Sequence, residues 1–335
     1  MTNTRKAKHG WILTTIFSIL SVIYVLPIFI VLINSFKKKA YISRRPFELP
    51  DEKTWTELEN YTRGIEKIKF IDAFWNSLFI TVCSVLIILV CTSMCAWYIG
   101  RVKSAFTKIF YMLCAFSMIV PFQMVMFTLS KIANILKCGN PVGIIFVYLG
   151  FGAGLAIFMF VGFVKSIPLE IEEAAMIDGC NPLQTFFGIV LPIMKPTCIT
   201  VAILQAMWIW NDYLLPYLVL DLKKYKTIPM AIQYLKGGYG QIDMGAMMAM
   251  LVLAMIPIIV FYLACQKYII EGVIAGAVKG DIDVKGPVIL DSSAIVMGDI
   301  KSKSVQINNG AVIEGMCSQC YADVSPTSFF DDYKG

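Results

Sequence analysis

Residues 170–192 read EIEEAAMIDGCNPLQTFFGIVLP, and the fold of this stretch decides what the chain can do. Glu170, Glu172, Glu173 and Asp178 fall within nine residues, between two strongly apolar segments. Local physics predicts a helix, a tight turn and a second helix. Pro168 suits a first turn, where its missing N–H would have no partner anyway. Glu170, Glu172 and Glu173 then sit near the positive end of the helix dipole. Ala174, Ala175, Met176 and Ile177 continue the helix. Gly179 fits the position just past its end, where positive φ costs a glycine little. Asn181 caps the next helix, Pro182 opens it, and Gln184 stands three residues after the cap. Phe186, Phe187, Ile189 and Val190 give it an apolar side, and Leu191-Pro192 leads onward. The expected product is a compact hairpin with an acidic start and an apolar ridge, shaped to plug a partner's groove. The rival reading is an amphipathic helix lying on lipid. Anionic headgroups would repel the acids, and two capped helices specify a turn instead.

The surroundings are membrane-like. Of 335 residues, 58% are hydrophobic and 16% charged, with mean hydropathy +0.70. A soluble domain carries about 25% charged residues. The net charge of +6 is spread over lysines that flank apolar runs. No dense basic run with interleaved aromatics is present, which argues against nucleic-acid binding. Six of the ten cysteines, Cys83, Cys91, Cys95, Cys114, Cys198 and Cys265, lie in apolar runs and act as small hydrophobes. His9 is the only histidine, which excludes a multi-histidine metal site, and no metal is expected.

A helix needs about 20 apolar residues to cross the hydrocarbon. Six segments qualify: 11–33, 74–98, 106–129, 142–164, 193–220 and 244–265. The first is too long for a signal peptide and lacks a cleavage site, so it reads as a retained span. Pro121 is placed to kink the third span. Asn211 and Asp212 make the fifth the least uniform. Residues 37–72 are polar and long enough to form a small extramembrane cap. Lysine and arginine counts near the span ends lean slightly toward an outside N-terminus. The expected fold is an all-α polytopic membrane protein of six transmembrane helices, with the hairpin as a helix-turn-helix loop and a short β-helix-like C-terminal extension.

That extension begins near residue 280, so the expected domains are 1–280 and 281–335. LDSSAIVMGDI (290–300) aligns with INNGAVIEGMC (307–317) at a shift of 17 residues, Leu290 on Ile307 and Gly298 on Gly315. Such a repeat suggests coils of a parallel β-helix, in which no coil buries its apolar face alone. Cys317 and Cys320 form half of a four-ligand zinc site at most.

With the residues laid out, a resemblance emerges. Glu173-Ala174-Ala175, three residues, Gly179, nine residues and Ile189-x-Leu191-Pro192 resemble the EAA motif of ABC-importer permeases. WIWNDYLLPYLVL (208–220), TIPMAIQYLKGGYGQ (227–241) and QKYIIEGVIAGAVKG (266–280) are similar to the later segments of MalG-type permeases of carbohydrate importers. The resemblance covers about residues 10 to 280. It implies a permease subunit in the bacterial plasma (inner) membrane, with N- and C-termini cytoplasmic. It implies a second, MalF-type permease subunit, two ATP-binding subunits and an extracytoplasmic sugar-binding protein as partners. ATP and Mg would sit on the partner ATPase, with no cofactor in this chain. Glu173 and Asp178 would offer polar docking contacts, Ala174 and Ala175 close approach, and Gly179 the turn. SVQINNGAVIEG (304–315) resembles part of a bactofilin, a polymer-forming cytoskeletal family, which keeps a membrane-anchored scaffold as the alternative reading.

Bland readings compete at each site. No G-x-x-x-x-G-K-[ST] run occurs, so no phosphate cradle is visible. GFGAG (150–154) lies inside an apolar span and reads as close helix packing. Trp208, Trp210, Asn211 and Asp212 are substrate-path candidates, because aromatics stack on sugar rings and amides bond hydroxyls. Against that, they could be an interfacial aromatic belt with a polar helix end. An ion-coupled secondary transporter would need midplane carboxylates, and these spans are nearly free of acids.

Overall fold

The computed structural model describes residues 10–235, 242–273, 277–279, 281–290, 295–307 and 312–319. They divide into two compact units, Met1–Gln266 and Lys267–Gly335. His9, Lys236 and Cys320 lie outside the described residues, as do 237–241 of the loop compared above.

In the first unit, α1 (Gly10–Ser35) and α4 (Phe70–Arg101) flank a cap holding α2 (Lys39–Ile42) and α3 (Glu59–Ile68). The cap is built on buried polar groups. Asn60 Nδ2 donates to the carbonyls of Ser35 at 2.8 Å and Lys37 at 2.9 Å, while the buried Lys37 donates to Arg45 O at 2.8 Å. Such groups are retained inside only when bonded.

Then come α5 (Ala105–Ser117), α6 (Phe122–Ile135) and α7 (Pro141–Val164). Ser104 and Thr107 form a reciprocal cap for α5, and Asn140 caps α7 with Pro141 in its first turn. The hairpin follows as α8 (Leu169–Ile177) and α9 (Pro182–Thr185), continued by a π turn at 186–190 and α10 (Leu191–Ile193). Next are α11 (Lys195–Asn211), α12 (Leu214–Val219), α13 (Ile228–Gln233) and α14 (Met244–Val273).

Among the described residues four helices, α1, α4, α7 and α14, are each long and apolar enough to cross a membrane. Two bent pairs bring the number to six if each pair is one span. The expected third span is broken rather than kinked: α5 and α6 meet at 107°. Pro121 lacks an N–H and excludes the helical region for the residue before it, so α6 starts afresh there. A bend of 76° between Pro182–Ile193 and α11 falls at the start of the expected fifth span, 193–220, and that span is interrupted at Asp212, whose backbone is extended.

The core centres on α4 and α7, the most closely packed pair of helices. Ile88, Tyr148, Ala156 and Phe160 are fully buried between elements. The glycine-rich turn of α7 does serve packing. A Cβ at Gly154 would lie 2.6 Å from Ser117 Oγ and 2.9 Å from the carbonyl oxygen of Cys114 on α5, whereas one at Gly150 would meet nothing within 4 Å. Gly154→Val is therefore expected to separate α5 from α7 and destabilise the chain by about 1–3 kcal/mol, the usual cost of overpacking. Gly150→Val should leave the melting temperature in detergent within error. Equal effects of the two substitutions would refute this packing role.

The second unit contains strands β1 (Ala277–Lys279), β2 (Ile282–Leu290), β3 (Ile295–Met297), β4 (Ile300–Ile307), β5 (Val312–Glu314) and β6 (Cys317–Gln319). Two parallel sheets form, β1-β3-β5 and β2-β4-β6. Ile295 pairs with Val312, Leu290 with Ile307 and Ile300 with Cys317, the same shift of 17 residues. Between the first two coils the shift is 18, and the extra residue is taken up by a bulge between Val284 and Pro287. Leu290, Val296 and Ile300 are buried at its centre. The first coil begins at Ala277, inside the stretch that resembles a permease ending.

Candidate functional site

The turn between α8 and α9 is a Schellman closure. Gly179 has φ +88°, its N–H reaches Met176 O at 3.1 Å, and the N–H of Cys180 reaches Ala175 O at 3.0 Å. Asn181 Oδ1 accepts from Gln184 N–H at 2.9 Å, and Gln184 Oε1 accepts from Asn181 N–H at 2.8 Å. Each element of the hairpin is thus fixed by its own local bonds.

One face of the hairpin is locked inward. Glu172 is 1% exposed, although it stands in an acidic helix start. Arg101 at the end of α4 donates to its Oε1 from Nε at 3.0 Å and from Nη2 at 2.7 Å. Trp97 Nε1 donates to Oε2 at 2.9 Å, so both oxygens are satisfied. Arg101 Nη2 also donates to Ile167 O at 2.9 Å, just before α8. The Trp97 ring lies 5.5 Å from that of Phe186, which is fully buried in the second arm. The last turn of α4 therefore holds both arms. Charge-assisted bonds in a sequestered position are strong, and a buried pair tolerates no loss of one partner.

The other face is open. Glu173, Ala174 and Asp178 are exposed, and Ile177 is 86% exposed, the largest value for any described large apolar residue. Met176, Leu183 and Phe187 are exposed beside it. Ala175 points inward, so the Ala pair divides between the two faces. Ile189 and Leu191 are half-buried, and Pro192 is exposed.

The tryptophan group divides as well. Trp208 crosses Tyr148 edge-on at 5.5 Å, and Tyr148 Oη donates to Asp212 Oδ2 at 3.1 Å. Asp212 Oδ1 accepts from the N–H groups of Leu214 and Leu215, which caps α12. Trp208, Asp212 and the buried Gln205 line a cavity of about 490 Å³. Gln205 Nε2 bonds Gly152 O at 3.2 Å, while its Oε1 has no hydrogen-bond partner among the described residues. Trp210 is buried on a different side, edge-on to Phe74 at 6.0 Å, and lines a separate apolar cavity of about 240 Å³. Asn211 is exposed, and its side chain bonds back to Met207 O. Only Trp208 and Asp212 of the four thus share one cavity.

Sequence reasoning missed Arg101, Trp97, Tyr148 and Gln205. In sequence Arg101 stands at a span end like any flanking charge, and no local spacing connects it to Glu172.

Helices long and apolar enough to cross a membrane, with this hairpin between two of them, define a polytopic membrane protein. Residues 92–274 match the family described as "Binding-protein-dependent transport system inner membrane component", and the chain belongs to that family. It is 39% identical to the probable starch degradation products transport system permease protein AmyC of Thermoanaerobacterium thermosulfurigenes, over 80% of this chain and 97% of that one. It is 35% identical to the multiple sugar-binding transport system permease protein MsmG of Streptococcus mutans, over 83% of this chain and 100% of that one. Its fold resembles a chain in the crystal structure of a bacterial ABC transporter involved in import of the acidic polysaccharide alginate, with TM-score 0.65 and 24% identity over 80% of this chain and 99% of that one. Residues 265–318 match the bactofilin family, described as polymer-forming cytoskeletal. The protein is a multi-pass component of the inner membrane.

Proposed function

We propose that this chain is a permease subunit that imports a sugar or oligosaccharide, driven by ATP hydrolysis on a partner. The partners are a MalF-type second permease, two ATP-binding subunits and an extracytoplasmic sugar-binding protein, with both termini of this chain cytoplasmic. The observation that carries this reading is the two-sided hairpin. Its open face, with Glu173, Ala174, Asp178 and Ile177, suits a groove on an ATPase. Its locked face ties that contact to α4 through Glu172 and Arg101. When the ATPase dimer closes, the hairpin moves with it, and α4 with α7 follows as a rigid pair. The names of the relatives, sugar permeases, support a carbohydrate substrate. Trp208, Asp212 and Gln205 offer it an aromatic face and polar groups along one cavity.

Affinity capture of the tagged chain, co-expressed with its genomic neighbours, tests this. The native chain should recover an ATP-binding subunit, and Glu173→Lys should lose it, since Glu173 is exposed and makes no ion pair among the described residues. Equal recovery with both would overturn the docking role.

A second reading rests on the parallel coils and the bactofilin match. We propose 1–280 as the permease and 281–335 as an appended β-helical piece. Deleting 281–335 should leave uptake intact. Recovery of only tail-dependent filament proteins in the same capture would move the function to a membrane-anchored scaffold.

A further inference from the structure

A cavity of about 450 Å³ at the head of α4 is lined by Lys67, Lys69, Lys223, Lys224 and Lys226, against one acid, Asp72, among the described lining residues. Little inside the protein balances them. Lys67 Nζ lies 3.2 Å from Asp243, but that carboxylate already faces Arg63 at 3.3 Å. Lys226 Nζ sits 3.9 Å over the ring of Tyr234. The side chains of Lys69, Lys223 and Lys224 have no ion pair among the described residues.

The backbone beneath these lysines is held in place. Lys69 joins α3 to α4 at φ +51°. Asp221 N–H bonds Gly139 O at 2.9 Å, and Asp221 Oδ1 accepts from Lys223 N–H at 3.0 Å. Asn76 Nδ2 donates to Lys226 O at 3.3 Å, and the buried Ser77 Oγ accepts from Ile228 N–H at 2.9 Å. The loop is thus stapled to α4, and five lysines line one concavity, three of them, Lys69, Lys223 and Lys224, without an ion pair among the described residues. Like charges gathered in a cleft repel one another and focus a positive field on whatever enters.

We propose that this cavity binds a carboxylate-bearing oligosaccharide, a uronate chain, on its way into the membrane domain. This rests on the sugar-importer reading above and on its orientation, which puts the head of α4 on the delivery side. The volume falls in the range of small-molecule sites, about 300–1,000 Å³. The lining also matches a sugar better than a bare phosphate. Beside the lysines, which serve carboxylates, stand the Asn76 side-chain oxygen, which serves hydroxyls, and the half-exposed Tyr234 ring, which serves a ring face on the side that Lys226 leaves uncovered. A concave site of this size is poorly shaped for the broad surface of a delivering protein.

The test uses the full chain in phosphatidylcholine nanodiscs, titrated with trigalacturonate and with neutral maltotriose. Trigalacturonate should bind with an affinity that falls as salt rises, and maltotriose should bind far more weakly. Lys223→Gln with Lys224→Gln should weaken trigalacturonate by about tenfold or more, while Lys131→Gln, outside the cavity, should not. The proposal fails if the two sugars bind alike, if neither binds, or if the double substitution changes nothing. It also fails if phosphatidylglycerol in the nanodisc abolishes binding, since lipid headgroups would then hold the cavity. Capture of the ATP-binding subunit does not involve these lysines, so failure here and failure of the importer reading are separable.

Discussion

Glu172→Gln is expected to lower transport sharply while leaving the ATP-binding subunit bound. The substitution removes the charge that Arg101 faces, and Arg101's side chain is only 19% exposed. Breaking one side of a buried pair costs about 3–5 kcal/mol, because the other charge stays behind unpaired. Glutamine still offers one oxygen to Trp97 or Arg101, so the lower end of that range applies. The open face, with Glu173 and Ile177, is untouched, and docking should persist. What loosens is the link from hairpin to α4. Coupling free energies of about 1–3 kcal/mol correspond to about 5–150-fold, and uptake should fall within that span. Two measurements on one variant, capture of the ATPase and uptake of labelled sugar, decide it. If both fall together, as for a misfolded hairpin, Glu172 has no transmission role. If neither falls, the ion pair is incidental. Removing both charges in Glu172→Gln, Arg101→Gln should recover part of the loss, since no orphan charge then remains.

Local rules made much of this molecule legible from its residues. Span existence follows from apolar length, and α4, α7 and α14 lie where such runs lie. The hairpin was readable because capping is a short-range matter: Asn181, Gln184 and Gly179 each act within four residues. The coil register was readable because a parallel β-helix stacks equivalent positions, so a shift of 17 in sequence becomes pairing in space. What escaped was long-range or three-dimensional. Glu172 and Arg101 are 71 residues apart, and an acid at a helix start looks the same whether it faces water or a buried arginine. Trp208 and Trp210 differ by two positions, which on a helix turns them to different sides; only packing shows which side holds the cavity. Pro121 announced a disturbance, but its size depends on how α6 packs against α12 after the break.

Gly179→Val is expected to uncouple hydrolysis from uptake, and comparison with Gly179→Asn identifies the cause. At φ +88° the backbone lies where L side chains rarely go, and a β-branched residue fits worst. A Cβ there would meet nothing within 4 Å, so bulk inside the chain is not the obstacle. The penalty is conformational, about 1–2 kcal/mol for a non-glycine residue and more for valine. It falls on the Schellman bonds of Met176 and Ala175, and hence on the angle between the two arms. Asparagine visits this region readily and should retain most uptake. Valine should lower uptake by an order of magnitude, about the 1.4 kcal/mol that makes a factor of ten. Capture should weaken less, because α8 still presents Glu173. If asparagine proves as damaging as valine, the backbone argument fails. Gly179 would then matter for what its bare surface allows a partner to approach, and alanine, the smallest side chain, would damage capture before it damaged uptake.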